Sequence, residues 1–228
     1  MNTKKTAILI FANSAQQEAV NKPFPKSSAL FDELNKQTLQ KVKRSGLPYF
    51  LFSEDEQLGT TFGERYTNAI QFVYNQGFEN VITIGNDTPQ LKTSQLIETA
   101  KKLEYSPIIL GPSKDGGYYM MGLNRSQFNV ETFLKLPWQT SQLTKHISRL
   151  LAAQRIKIVF LKMFADIDSI TDVESVLNGF RNIGVNLKKI LLSLFSSEKN
   201  TISFSPFFFQ NTSKEIKLNK GSPLLLHI

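Results

Sequence analysis

Four carboxylates in this chain stand where apolar runs end, and their positions suit phosphate chemistry. Asp87 follows Val81-Ile-Thr-Ile-Gly85, a strand-forming run closed by glycine, and Pro89 stops any extension. Asp115 lies in Ser113-Lys-Asp-Gly-Gly117, between the apolar runs 107–110 and 118–123. Asp166 and Asp168 stand one residue apart after the run 156–161. In an open α/β sheet, ligands bind outside the carboxyl ends of the strands. A carboxylate delivered there on a stiff turn is placed to hold a divalent cation against phosphate oxygens. Two carboxylates at one strand end are a common way to complete a magnesium or manganese shell. The pattern points to an enzyme acting on a nucleotide or another phosphorylated donor.

Each position also has a plainer reading. Asn86-Asp87 before Thr-Pro fits an ordinary turn. Asp-Gly between two apolar runs is a hairpin signal, although glycines there also let a backbone approach a ligand closely. Asp168 or Ser169 fits a helix N-cap. His146 and His227 are the only histidines. His146 sits among Leu143, Ile147 and Leu150 and reads as structural, and His227 is next to last, so a Ser–His–Asp triad is disfavoured.

These carboxylates need a scaffold, and alternating patterns supply one. The runs 6–11, 49–52, 81–85, 107–110, 118–123 and 156–161 read as strands. Helical spacing falls at 30–43, 94–103, 139–154 and 169–180. Thr61-Phe-Gly-Glu64 reads as a capping box opening a helix with Phe62, Tyr66, Ala69, Ile70 and Val73 on one face. Thr171 and Glu174 offer a second box. Strands alternating with helices predict an α/β fold, a mostly parallel sheet covered on both faces.

The 228 residues suffice for one large domain or a domain with an appendage. There is no cysteine, which excludes disulfides, zinc-thiolate sites and thiol nucleophiles. The short apolar run near the N-terminus lacks a secretory cleavage signal, and no segment approaches the roughly 18 apolar residues of a spanning helix. A cytoplasmic protein is expected. From residue 181 onward the chain carries seven Lys/Arg against two Asp/Glu, five of the total net charge of +8. The expected organisation is a domain over 1–184 and a basic, Phe-rich extension over 185–228. That extension has a possible helix at 187–195, the cluster Phe204 to Phe209 and an edge-strand pattern at 215–221. A four-phenylalanine cluster is an association liability if exposed. It is expected to pack on the domain or to form a homodimer.

Gly85-Asn-Asp-Thr-Pro-Gln-Leu91, Leu110-Gly-Pro-Ser-Lys-Asp-Gly-Gly-Tyr-Tyr-Met-Met-Gly-Leu123, Leu136-Pro-Trp138 and Asp166-Ile-Asp-Ser-Ile-Thr-Asp-Val173 together resemble a bacterial family of GT-A-type glycosyltransferase-like proteins. Some members of that family are labelled arsenosugar-biosynthesis glycosyltransferases. It is similar, more distantly, to the guanylyltransferases of molybdenum-cofactor and phospholactate metabolism. The resemblance runs from about residue 11 to residue 180. It implies a GT-A-like, Rossmann-like fold and a Mg2+ or Mn2+ cofactor. By resemblance Asp87 binds the metal that bridges the donor diphosphate, with Asp166 and Asp168 on the second metal side. Asp115, Gly116 and Gly117 would line the acceptor or sugar side, Asp115 and Asp87 acting in catalysis. Arg65, in Leu58-Gly-Thr-Thr-Phe-Gly-Glu-Arg65, is a phosphate or structural arginine.

The front loop departs from the family. Members carry a Pro-Gly-x-x-Lys-Thr-Arg-Leu type loop after the first strand, where this chain has Asn13-Ser-Ala-Gln-Gln-Glu-Ala-Val-Asn-Lys-Pro-Phe24. Lys22 stands for the lysine, a cofactor-binding position, and the glycine, threonine and arginine are missing. The implied activity is metal-dependent transfer from a nucleotide-activated sugar donor to an unknown acceptor, with no nucleic acid involved. A nucleotidyltransferase acting on a nucleoside triphosphate and a non-catalytic binding protein on the same fold are the alternatives.

Overall fold

Alternation along the strands divides the apolar side chains between the two faces of one sheet. In the computed structural model, which describes residues 5–179 and 184–198, strand β1 (Thr6–Phe11) is buried along its whole length. Its Ala7, Leu9 and Phe11 enter one core, and Ile8 and Ile10 enter the other. Successive side chains of a strand point to opposite faces, so a doubly covered strand is apolar throughout. β3 (Asn80–Ile84) and β4 (Ile108–Pro112) are buried in the same way. β2 (Tyr49–Phe52) lies at an edge, and Tyr49 and Leu51 accordingly face outward.

The six strands run in the order β2-β1-β3-β5-β4-β6, with β5 over Tyr118–Asn124 and β6 over Val159–Phe160. β1 pairs parallel with β2 and β3, and β4 pairs parallel with β6. Only β5 runs against its neighbours β3 and β4. The expected mostly parallel sheet is therefore present. Its one reversed strand comes from the Asp115-Gly116 hairpin, with a bulge at Gly111 and Pro112.

Helices α3 (Phe62–Asn75), α5 (Val130–Leu134) and α6 (Leu143–Ala153) bury apolar side chains against one face. α2 (Ser27–Ser45) and α4 (Thr93–Lys102) cover the other. The Thr61–Glu64 capping box is formed in both directions. The second helix start is capped differently from expectation: the Asp172 carboxylate accepts from Asp168 N, Ser169 N and Ser169 Oγ, ahead of α7 (Ile170–Gly179). Asp172 takes the place expected of Glu174 because the chain enters α7 two residues earlier, with Ser169 and not Thr171 at the cap.

A third apolar cluster joins Leu30, Phe31 and Leu34 of α2 to Val173 and Val176 of α7 and to Leu187, Leu191 and Leu194 of α8 (Val185–Glu198). α8 thus packs on the body of the protein. Fully burying such a leucine is worth roughly 1.5–3 kcal/mol. Phe204 to Phe209, the 215–221 pattern and His227 lie outside the described residues. Among the described residues no helix is long and apolar enough to cross a membrane.

Candidate functional site

Because β1, β3, β4 and β6 all point the same way, the loops that follow them meet at one edge of the sheet. Helix α1 (Ala15–Asn21) follows β1, and the Asp87 turn follows β3. The Ser113–Gly117 hairpin follows β4, and 161–169 follow β6. Backbone bonds lock the last of these in place. Lys114 N donates to Phe164 O, Phe164 N to Pro112 O, and Ile167 N to Asp87 O at 3.0 Å. Asp87 and Asp168, 81 residues apart in sequence, are thereby brought to one place.

The front segment is a helix rather than an open loop. Ser14 caps α1 by accepting from Gln17 N, and Ser14 itself donates to the Glu54 carboxylate through its amide and its hydroxyl. Glu18 and Lys22, one turn apart, both turn inward. The i, i+4 spacing in Glu18-Ala-Val-Asn-Lys22 carried this signal.

Lys22 is the hub of the site. Its Nζ lies 2.7 Å from Asp168 Oδ1, 3.3 Å from Asp87 Oδ2, 3.7 Å from Glu18 Oε2 and 3.2 Å from the Ile167 carbonyl oxygen. It also sits 4.9 Å from the Phe31 ring centre. The Lys22 side chain is 10% exposed and that of Asp87 only 1%. Burial alone would pull the ammonium below its ordinary pKa. The charges of Asp87, Asp168 and Glu18 outweigh it and raise the pKa. Asn86, read as a turn residue, donates to Asn35 of α2 at 2.8 Å, so the turn is held by a neighbouring helix.

Asp166 and Asp168 part company at Ile167. Asp168 reaches Lys22, whereas Asp166 accepts from the Thr88 hydroxyl at 2.5 Å and borders a neighbouring cavity. Asp87 and Asp168 therefore converge on one point, while Asp166 faces another. Among the described residues no group of three or more His, Asp or Glu side chains gathers as a metal cage. The donor set at Lys22 is oxygen only, which suits Mg2+ or Mn2+. Magnesium is commonly bound through one or two carboxylates plus substrate phosphates. Asp87 and Asp168 fit that arrangement at the point where Lys22 Nζ now lies.

The neighbouring cavity, about 60 Å³, is walled by Phe11, Phe62, Tyr66, Tyr118 and Trp138, with Asp115, Gly117 and Asp166 at its polar side. The polar tips of the aromatic residues are already engaged. Tyr118 donates to Tyr66 at 3.2 Å, Tyr66 to Thr83 Oγ1 at 2.5 Å, and Trp138 Nε1 to Phe133 O at 2.6 Å. Burial and the neighbouring Tyr66 push the Tyr118 phenol well above its ordinary pKa, so it stays protonated. The rings present apolar faces. Asp115 Oδ1 accepts from Ser113 Oγ and from Gly117 N, which fixes the carboxylate against its own hairpin.

The remaining candidates act on the scaffold. Gly116 has φ +92°, and a Cβ there would lie 2.1 Å from Ser141 O. It is glycine because the hairpin packs backbone to backbone on residues 141–144, with Thr144 N donating to Gly116 O. Arg65 donates to Thr60 O at 3.2 Å and braces the loop before α3. His146 is exposed on α6, away from the core role expected of it. Sequence reasoning missed Glu18, Thr88 and the aromatic wall. The wall comes from four separate segments, and periodicity within one segment does not reveal it.

Residues 30–140 match a family model described as "Uncharacterized protein conserved in bacteria (DUF2064)". The match includes Arg65, Asp87, Asp115 and Trp138 and stops short of Lys22, Asp166 and Asp168. No curated protein matches the chain in sequence. Among solved structures the chain is similar to a Desulfovibrio desulfuricans G20 protein provisionally named a nucleotide-diphospho-sugar transferase. That likeness has 18% identity and a TM-score of 0.71, covering 85% of this chain and 98% of the other. It is also similar to Rv0371c of Mycobacterium tuberculosis H37Rv, with 13% identity and a TM-score of 0.51 over 78% and 100% of the two chains. At such identities the likeness establishes the fold. The chain thus has the α/β fold of the Desulfovibrio protein, the GT-A-like fold expected from the sequence, and its residues 30–140 match the DUF2064 model.

Proposed function

We propose that this protein transfers a sugar from a nucleotide-activated donor, in a reaction dependent on Mg2+ or Mn2+. The observation that supports this best is the convergence of Asp87 and Asp168 on Lys22 beside an aromatic cavity. The donor diphosphate would lie against this group, and Lys22 has the reach and charge to meet its oxygens. Bound there with Asp87 and Asp168, a divalent ion would neutralise the charge developing on the leaving diphosphate. Asp115, fixed at the cavity's polar side, would accept a hydrogen bond or proton from the acceptor hydroxyl. The name of the Desulfovibrio relative points to the same donor class.

The cavity favours sugar transfer over nucleotidyl transfer. Its ring faces suit the C–H face of a pyranose or another flat apolar group, whereas a triphosphate calls for donors of hydrogen bonds. A thermal-shift panel of nucleotide sugars and nucleoside triphosphates, with and without Mn2+, tests the reading. A ligand at about a hundred times its Kd adds ~2.7 kcal/mol of stability. Stabilisation by a nucleotide sugar, with nucleoside diphosphate released on turnover, is expected. Pyrophosphate release from a nucleoside triphosphate would make it a nucleotidyltransferase. Silence across the panel would leave a binding protein on this fold.

A further inference from the structure

We propose that Lys22 is a resident counter-cation that a divalent metal ion must displace: Asp87 and Asp168 take Mg2+ or Mn2+ only as the Lys22 ammonium leaves them. This rests on the metal-dependent reading above and adds the order of events within it. Three carboxylates and one carbonyl oxygen surround Nζ, at 2.7 to 3.7 Å. Of these, Asp87 and Asp168 suit a hard divalent cation held by two carboxylates plus phosphate oxygens, and the ammonium lies where those two converge.

A metal ion and the ammonium cannot share that point. Together they would place three positive charges within a few ångströms, in a pocket whose carboxylate side chains are only 1–17% exposed. Like charges in such surroundings interact strongly because little water screens them. The lysine, by contrast, has somewhere to go. It stands at the C-cap of α1, where its amide makes the helix's last i→i−4 bond, to Glu18 O at 2.8 Å, and its ammonium rides on a flexible four-carbon stem just before Pro23. A diphosphate arriving with the metal offers the ammonium a new anionic partner. Metal and diphosphate are therefore expected to bind with positive coupling, while metal alone competes with Lys22.

Direct Mn2+ titration, read by the electron-paramagnetic-resonance signal of free Mn2+, tests this without turnover. Wild type is expected to bind Mn2+ weakly alone and at least tenfold more tightly with pyrophosphate. Lys22→Met is expected to bind Mn2+ alone at least tenfold more tightly than wild type, with a melting temperature that is lowered in chelator and restored by Mn2+. Should Lys22→Met not fold in chelator, Lys22→Met/Glu18→Gln leaves one fewer unmatched charge and is titrated in its place, with the same expectation. Equal or weaker Mn2+ binding by the lysine-free protein overturns the proposal. The two readings fail separately. A protein that transfers sugar while its lysine-free form gains no Mn2+ affinity loses only the displacement. A protein whose lysine-free form gains Mn2+ affinity yet ignores every nucleotide loses only the function.

Discussion

Gly63 and Trp138 approach so closely that a methyl group on Gly63 would stand 2.6 Å from the indole Cδ1. The contact joins the first turn of α3 to the loop after α5 and closes one wall of the cavity. Phe62 and Tyr66, one turn apart on the same face of α3, pack against the same indole, with ring centres 5.6 and 5.1 Å away. The Thr61 capping box sets where α3 begins and so where this wall stands.

Gly63→Ala is expected to displace the indole. Overpacking of this kind costs typically 1–3 kcal/mol. Trp138 is the only tryptophan in the chain, so its fluorescence reports the site directly. A red-shifted emission with a lower urea midpoint is the expected result, and unchanged emission would mean that the wall can yield elsewhere.

The two hairpin glycines should behave differently. Gly116→Ala combines a positive φ with a backbone clash at Ser141, and strain of this sort is worth about 1–3 kcal/mol before the clash is counted. Gly117 has no such backbone demand. A Cβ there meets Asp115 and Ser113 side-chain oxygens at 3.3 Å. Gly117→Ala should therefore leave the melting temperature close to wild type and weaken ligand binding through Asp115. Equal destabilisation by both variants would contradict this division.

Much of the scaffold was legible because each element announced itself locally. The buried strands read as apolar runs, Thr61–Glu64 as a cap, and Asp115-Gly116 as a hairpin. Residues 15–21 were harder. Gln-Gln-Glu-Ala-Val-Asn is polar on most positions, and of the inward side chains only Ala15 joins an apolar cluster, while Glu18 and Lys22 pair with each other. A helix buried through one alanine and a charged pair leaves no apolar stripe. The site was half legible for a related reason. Asp87 and Asp168 stood out as strand-end carboxylates, but which of Asp166 and Asp168 would turn toward Asp87 depends on the Ile167 backbone bond to Asp87, a contact made across the fold.

Glu64 should mark itself in acid. Hydrogen bonds from the Thr60 hydroxyl and from the Thr61 and Thr60 amides hold its carboxyl down to about 2. A carboxyl depressed in the folded state stabilises the fold fully above its unfolded pKa, about 4.3. That contribution is lost as pH falls toward the folded value. The stability gap between wild type and Glu64→Gln should thus be constant near neutrality and close between about pH 4.3 and 2. A gap that persists to the lowest pH would show that the cap works without the charge.

Lys41 should mark itself in base, where its charged form costs stability instead of contributing it. Burial pulls its pKa from the ordinary 10.5 to about 8. Its Nζ donates to the Pro89 carbonyl oxygen at 2.9 Å, so this lysine of α2 fastens the turn that carries Asp87. The folded protein gives up this proton before the unfolded chain does. Between pH 8 and 10.5 the unfolded state therefore holds more protons, and stability rises with pH. Below pH 8 the cost of burying the ammonium is present in full. Lys41→Met abolishes that cost and its pH dependence, at the expense of the bond to Pro89. Wild-type stability minus that of Lys41→Met should be flat below pH 8 and should climb from there to pH 10.5. Urea denaturation across this range measures the difference, and a flat line through it would place the Lys41 ammonium in water, not beneath the Asp87 turn.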